Sequence, residues 1–195
     1  MTMQSSDYLY YQGKKYTLIA IEKDTDLIHS ADFGLESNIC MTCCYRGYQA
    51  EYFIEDNFLY GEKTVRSDTE RPDSKITVHF QKSPKLRMNY TGSLLLARNR
   101  DEHFSLADFI PCYLDFDEAF EFYFIDGELT EITDLSHAIQ EWHTIKNKLD
   151  IKSERKSGKK HSDKTQESYM ELWRKQDEIA AKYLKYQYCN YKWQE

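Results

Sequence analysis

The feature that most constrains the fold is the alternation of apolar and polar residues within Cys40–Tyr60. Successive side chains of a strand point to opposite faces, so residues two apart share a face. One face would carry Tyr48, Ala50, Tyr52 and Ile54. Glu55-Asp56-Asn57 follows as a tight turn, after which the chain continues to Tyr60. The stretch therefore predicts a β-hairpin.

A second stretch, Phe116–Thr133, repeats this pattern and shows that the sheet is mostly antiparallel. Its predicted apolar face carries Phe116, Phe120, Phe122 and Phe124. Asp126-Gly127 is a strong hairpin turn. A shorter hairpin at Tyr8–Ile21 and an apolar strand at Gly92–Ala97 extend the sheet. We expect an α+β fold, in which a twisted sheet of six to eight strands precedes two C-terminal helices.

The character of the chain changes at Asp134, which suits the N-cap of a helix. A helix over 135–149 would have an apolar stripe at helical spacing, made of Leu135, Ile139, Trp142, Ile145 and Leu149. We expect it to pack on the sheet, giving an acidic β-rich domain over residues 1–149. Residues 150–162 are basic and contain one large apolar residue, so they predict a flexible linker.

Residues 163–195 predict a second amphipathic helix, running from about Asp163 to Tyr188. Its stripe is made of Tyr169, Leu172, Trp173, Ala180, Tyr183 and Leu184. Such a stripe has to pack on something: the sheet of its own domain, a second copy, or another protein. We favour docking on its own domain.

The net charge of −7 hides an asymmetry. Residues 146–195 carry 13 Lys and Arg against 8 Asp and Glu, a net of +5, which leaves −12 for residues 1–145. An acidic body repels nucleic acid and attracts cationic partners. The basic segment 152–164 lacks interleaved aromatic residues, so we interpret it as a solvated linker and not as a nucleic-acid site. Solubility alone would also explain the acidic body.

No apolar run approaches the roughly 18–20 residues that span a bilayer. The N-terminal residues lack the basic and then apolar pattern of a secretion signal. The expected compartment is therefore the cytoplasm, and the five cysteines are expected to be reduced thiols.

Three of the cysteines form a C-x-x-C-C motif: Cys40, Cys43 and Cys44. Thiolates at this spacing can bind zinc, and Cys112 with His29 is a weak candidate for the second half of such a site. A redox C-x-x-C usually opens a helix, whereas this one leads into a strand. On a strand Cys43 points away from Cys40, so we favour small buried apolar residues and predict no metal or cofactor.

An acidic cluster marks the second hairpin: Asp115, Asp117, Glu118 and Glu121. Asp115, Asp117 and Glu121 have the same strand parity and could line one exposed face. The cluster is either a solvated face or, with Tyr123 as an anchor, a binding surface for a basic partner. Paired carboxylates could also perform acid–base chemistry or bind a metal.

Arg46 lies inside the strongest strand, on the parity of its apolar face. A half-buried arginine needs a carboxylate or carbonyl partner. A structural ion pair is the favoured interpretation, and contact with a partner protein is the functional one.

One run of residues resembles the core of a small family of uncharacterised bacterial proteins. The shared pattern T-x-C-x-R-G-Y-x-A-x-Y-x-I is formed here by Thr42, Cys44, Arg46, Gly47, Tyr48, Ala50, Tyr52 and Ile54. The resemblance covers roughly residues 8–145 and implies no catalytic residues. Members of such families often occur in toxin–immunity contexts.

The sequence therefore favours a non-enzymatic binding protein, most specifically an immunity protein that neutralises a basic bacterial toxin. Sixteen tyrosines are consistent with a recognition surface, and the sequence contains no G-x-S-x-G, P-loop, G-x-G-x-x-G or H-E-x-x-H motif. The alternatives are a small metal-dependent or thiol-using hydrolase, and a structural homo-oligomer assembled through the last helix.

Overall fold

The structure is a computed structural model that describes residues 6–22, 27, 48–70, 76–100, 112–156, 163–186 and 188. Within these ranges it contains nine strands, one short 3-10 helix and two α-helices. The strands are β1 (Tyr8–Tyr11), β2 (Lys14–Ile21), β3 (Tyr48–Glu55), β4 (Phe58–Glu70), β5 (Ile76–Lys82), β6 (Leu86–Arg87), β7 (Gly92–Arg100), β8 (Phe116–Ile125) and β9 (Glu128–Asp134). The 3-10 helix spans Tyr113–Asp115, and the α-helices are α1 (Ser136–Lys156) and α2 (Asp163–Tyr183).

Three two-residue turns create the main hairpins. Each has positive φ at both central residues: Gln12-Gly13, Asp56-Asn57 and Asp126-Gly127. Positive φ at both positions matches the natural twist of the flanking strands and is tolerated best by Gly, Asn and Asp. The predicted hairpins and their turns are confirmed.

The sheet closes into a seven-stranded barrel. Its strand order is β3-β1-β2-β7-β8-β9-β4, and β4 also pairs with β3 to complete the ring, while β5 and β6 attach to β4. All described pairings are antiparallel except β1 with β3, which run parallel. The α+β class with a mostly antiparallel sheet is confirmed.

The ring depends on contacts between two hairpin turns. The amide of Leu59 donates to the carbonyl of Gly127 at 2.7 Å, and the amide of Leu129 donates to that of Asn57 at 2.7 Å. The amide of Gly127 donates in turn to the carbonyl of Tyr90 at 2.8 Å. The β3–β4 and β8–β9 turns are thus joined through the backbone at one end of the barrel.

One hydrophobic core fills the barrel interior. Its buried residues alternate along six of the ring strands: Leu9, Tyr16, Leu18, Ala50, Tyr52, Leu59, Leu94, Leu96, Phe122 and Phe124. The alternation on β3 and β8 is the one seen in the sequence, and Tyr48, Ile54 and Phe120 pack against this core as well. Phe116 departs from its predicted face and belongs to a second core.

The second core lies between the outside of the barrel and the helices. β7 contributes Leu95 and Ala97, and a register shift between Leu18 and Ala20 turns Ala20 of β2 to the same side. Both faces of β7 are therefore covered, which explains why the 92–97 run is continuously apolar.

Helix α1 packs its predicted stripe into the second core. Leu135, Ala138, Ile139 and Trp142 are buried there, and Ile145 is partly buried against them. The helix continues to Lys156, so the boundary predicted at Leu149 was wrong and the first part of the predicted linker is helical. Its last residues include Lys152, Glu154, Arg155 and Lys156. These residues have good helix propensity, and the cations favour a helix C-terminus. Residues 157–162 lie outside the described part of the chain.

Helix α2 docks on its own domain, as favoured, but it ends at Tyr183, so the predicted end near Tyr188 was wrong. Ile179 is buried in the second core, and Ala180, Tyr183 and Leu184 pack against it. Tyr183 and Lys182 both contact Glu141 of α1, at 2.6 and 2.8 Å. No helix among the described residues is long and apolar enough to cross a membrane.

Two glycine substitutions test the joined turns. A Cβ on Gly127 (φ +79°) would lie 2.0 Å from the carbonyl oxygen of Met88, whereas a Cβ on Gly13 (φ +74°) would meet nothing within 4 Å. We expect Gly13→Ala to lose about 1–2 kcal/mol of unfolding free energy through backbone strain alone. Gly127→Ala should lose roughly 3 kcal/mol or more, because strain and a backbone clash add. Urea unfolding measures both, and equal losses would contradict the close packing at Gly127.

Candidate functional site

The candidate site is the β8–β9 hairpin, because its charge is all of one sign. Residues 116–134 contain seven acidic residues and no Lys, Arg or His: Asp117, Glu118, Glu121, Asp126, Glu128, Glu131 and Asp134. Asp115 immediately precedes them. A segment of this charge attracts cations over several ångströms. The structure divides these carboxylates into buried and exposed ones.

Glu121 is buried, which corrects the prediction that it lines an exposed face. Only 1% of the residue is exposed. It points away from the barrel interior, since Phe120 and Phe122 beside it contact the interior core, and this outer face lies under the C-terminal part of the chain. The alternation rule placed Glu121 opposite the apolar face correctly, but that opposite face is covered, too.

Three hydrogen bonds compensate for the burial of Glu121. The amide of Lys185 donates to both carboxylate oxygens, at 3.1 and 3.3 Å, and the hydroxyl of Tyr188 donates to Oε1 at 2.9 Å. Burial raises the pKa of Glu121 above its usual range, and the donors of Lys185 and Tyr188 oppose that shift. The chain thus uses residues 184–186 and 188, called the C-terminal segment below, to hold a buried acid.

The segment continues this contact into β2 and β7. The hydroxyls of Tyr188 and Ser93 are 2.7 Å apart, and Tyr188 forms an isolated bridge with Glu22. The amide of Ser93 donates to the carboxylate of Glu22 at 2.8 Å. Tyr188, Ser93, Glu22 and Glu121 therefore form one polar cluster beneath the segment. Burial raises the pKa of Tyr188 as well, so its hydroxyl stays protonated.

Asp115 is buried, too, and does not lie on the strand. It ends the 3-10 helix, where its carboxylate accepts from the amide of Cys112 at 3.1 Å and from the side-chain amide of Gln176 of α2 at 3.0 Å. With 8% of the residue exposed, it is not part of an open acidic face. Its parity with Asp117 was misleading because the chain before Phe116 is not extended.

Asp117 and Glu118 remain at the surface. Asp117 is exposed. Glu118 is partly exposed and accepts two hydrogen bonds from Arg98, at 2.7 and 3.0 Å, with Lys14 at 3.7 Å. The Arg98 guanidinium holds the pKa of Glu118 below its usual range. Glu118 is therefore part of a cross-strand ion pair, while Asp117 is the more accessible of the two carboxylates.

Tyr123 contacts the same C-terminal segment. Its ring stacks on that of Tyr186 with centroids 5.0 Å apart and planes 3° apart. Next to this pair, Glu131 of β9 forms an ion pair with the ammonium of Lys185. Glu121 and Tyr123 are thus both contacted by the C-terminal segment, whereas Asp115 is contacted by helix α2.

Of the candidate thiols, the structure describes Cys112 alone. Cys112 is half-buried, and burial, with the nearby charges of Asp115 and Asp177, raises its pKa to about 12. Such a thiol is a poor nucleophile and metal ligand. Cys40, Cys43, His29 and Arg46 lie outside the described residues. Within the described part of the chain, no group of three or more His, Cys, Asp or Glu side chains could hold a metal ion.

One buried cation was not anticipated. Lys63 of β4 is 1% exposed and shares the parity of Leu59, so it faces the barrel interior. Its ammonium lies 4.3 Å from the centre of the Tyr48 ring, and burial lowers its pKa. A lysine within alternating polar positions such as 62–64 gives no sequence signal of burial.

The residues that sequence reasoning missed are Lys185, Tyr186, Tyr188, Ser93 and Glu22. The available signal was the combination of a hairpin without cations and a C-terminal stretch in which Lys and Tyr alternate closely, KYLKYQY. Neither half of that signal specifies the pairing by itself. Comparisons with family models, with curated proteins and with solved structures find no match to this chain.

The buried and the paired glutamate should respond to pH in opposite directions. Because the folded-state pKa of Glu121 is raised, its contribution is present at low pH and is lost as the pH rises above the ordinary value of 4.5. Glu118 has a lowered pKa, so its contribution is present above that value and is lost on acidification. The destabilisation by Glu121→Gln should therefore shrink from about pH 4 to about pH 7, and that by Glu118→Gln should grow. Urea unfolding across this range checks both signs, and parallel profiles would contradict the assignment.

Proposed function

We propose that this protein is a non-enzymatic binding module whose acidic β8–β9 hairpin docks a basic protein. The observation that supports this most is that the protein's own C-terminal segment already binds the hairpin. The C-terminal segment contacts Glu121 through the Lys185 amide and Glu131 through the Lys185 ammonium, and Tyr186 stacks on Tyr123. The surface therefore has the donors, acceptors and aromatic contact that a cationic, tyrosine-bearing polypeptide requires.

The accessible part of the hairpin would steer a partner toward this surface. Asp117, Asp126, Glu128 and Asp134 are exposed, and Ile125 between them is 47% exposed. Like charges on one rigid hairpin attract a cationic partner and raise its association rate, while an apolar side chain adds buried area after docking. The turn is held by its hydrogen bonds to Tyr90 and Leu59, so little ordering would be needed on binding.

The specific form of the proposal is an immunity protein that neutralises a basic bacterial toxin in the cytoplasm. It rests on the resemblance of the 42–54 pattern and on the charge of the hairpin. Arg46 stays a predicted contact, because it lies outside the described residues. Asp117 and Glu118 are the predicted contacts that remain at the surface.

The test is capture of a partner by tagged protein from the native lysate, with a matched pair of charge reversals. Asp117→Lys with Glu128→Lys changes the hairpin, and Glu171→Lys with Glu178→Lys makes the same change of charge on exposed positions of α2. We expect one basic protein at near-equal stoichiometry. Its capture should fall at least about tenfold with the hairpin pair, persist with the α2 pair and weaken as salt screens the charges.

A purified complex of the two proteins, titrated by calorimetry with the same variants, would then give the affinities. The proposal fails if no basic partner is retained at low salt. It also fails if the hairpin pair and the α2 pair reduce binding equally, since net charge alone would then explain the capture.

A further inference from the structure

The C-terminal segment is held differently from the rest of the fold. Among the described side chains, helix α1 inserts three buried apolar ones into the second core, Ala138, Ile139 and Trp142, whereas Ile179 is the one buried residue of α2. The segment itself is anchored by polar contacts, namely the Lys185 amide and the Tyr188 hydroxyl on Glu121 and Tyr188 with Ser93. Its apolar contribution to the second core is limited to Leu184 and Tyr188, which are only partly buried there. Elements with little apolar burial open at a lower free energy than the core strands do.

Release of the segment would expose an acidic surface that favours cationic ligands. Lys185 is the counter-charge of Glu131, and its amide satisfies Glu121. Once the segment leaves, these two carboxylates lose those partners, and the Tyr123 ring loses its stacked neighbour. The ligand that restores the contacts is another extended chain with a lysine and tyrosines in similar spacing.

We propose that the C-terminal segment occupies, in the resting protein, the docking site for an extended lysine- and tyrosine-bearing segment of the partner protein. The partner binds after displacing the C-terminal segment. This inference rests on the proposed function, for which it names the site and the regulation. A tethered segment acts at an effective concentration in the millimolar range. It therefore lowers the apparent affinity of an external ligand. The factor is the population ratio of the closed form, with the segment bound, to the open form, with the segment released.

The contact pattern explains why a competitor can succeed. A partner has to reproduce one backbone donor, one tyrosine hydroxyl and one ring stack at Glu121, Ser93 and Tyr123. It can add contacts with the exposed carboxylates of the hairpin, Asp117 and Glu128, which the protein's own segment does not touch in the structure. The partner would therefore gain contacts that the resident segment lacks.

The first experiment uses the full chain and a fluorescent peptide with the sequence KYLKYQY, that of residues 182–188. Tyr188→Ala removes the hydroxyl that contacts Glu121 and Ser93, and Arg174→Ala on the exposed face of α2 is the control. Fluorescence anisotropy should show that the peptide binds Tyr188→Ala at least about tenfold more tightly than the wild type or the control. A peptide with both lysines replaced by glutamate should not bind.

The second experiment needs no variant and keeps the proposal testable if Tyr188→Ala fails to fold. Amide hydrogen exchange of the wild type should be at least about tenfold faster at Lys185 than at core positions of β8 such as Phe122. Exchange at Lys185 as slow as that at Phe122 would overturn the proposal, and so would equal peptide binding by wild type and Tyr188→Ala.

Two further outcomes separate this inference from the proposed function. Concentration-dependent dimerisation of the wild type, abolished by Tyr188→Ala, would mean that a second copy supplies the segment, and it would overturn the partner as occupant. The peptide and exchange measurements use no cellular partner. A failed capture with successful peptide binding would thus reject the proposed function alone, and the reverse pattern would reject this inference alone.

Discussion

The burial of the Glu121 carboxylate determines where the C-terminal segment lies. A desolvated carboxylate is costly unless several donors reach it, and hydrogen bonds to a charged group contribute about 1.5–3 kcal/mol each. On β8 the neighbouring strands use their backbone donors for the sheet. The donors come instead from Lys185 and Tyr188, which lie 64 and 67 residues further along the chain. These two donors fix the C-terminal segment against β8, where Tyr186 of the segment also stacks on Tyr123. Asp115 is covered nearby by Gln176 of α2.

The barrel supplies the rigid surface on which that contact is made. Its ring is completed by β3 with β4, and the two hairpin turns at one end are joined by hydrogen bonds through Gly127, Leu59, Asn57 and Leu129. The exposed Asp126 lies in one of these turns and the exposed Glu128 directly follows it, so the fold places like charges on a stiff scaffold. The repulsion among them is reduced where cations reach: Arg98 at Glu118, and Lys185 at Glu131. The remaining carboxylates provide the field that the proposed partner would experience.

Local patterns predicted much of the fold. The hairpins at Gln12-Gly13, Asp56-Asn57 and Asp126-Gly127 follow from turn chemistry and period-two alternation, and the α1 stripe follows from helical spacing. The parallel pairing of β1 with β3 and the closure of the ring could not be predicted, because they join segments distant in sequence. The end of α1 was placed too early because a charged turn of helix resembles a linker in composition.

For the acids of the candidate site, the sequence predicted the strand on which most of them lie but not their exposure. Alternation separates the two faces of β8, yet it cannot tell whether the polar face is solvated, and here Ala119 and Glu121 lie beneath other parts of the chain. Only the pairing of this hairpin with a Lys- and Tyr-bearing C-terminal segment resolves that ambiguity, and such pairing is non-local. Asp117, at the start of β8, stays exposed.

The most direct test of this account follows the amide proton of Lys185 by NMR across a pH titration. If that amide donates to Glu121, its chemical shift should move with the ionisation of the carboxylate. The midpoint should lie above the ordinary glutamate value of 4.5. A Lys185 amide whose shift stays flat, or moves with the midpoint of an exposed glutamate, would contradict the claim that the buried acid anchors the C-terminal segment.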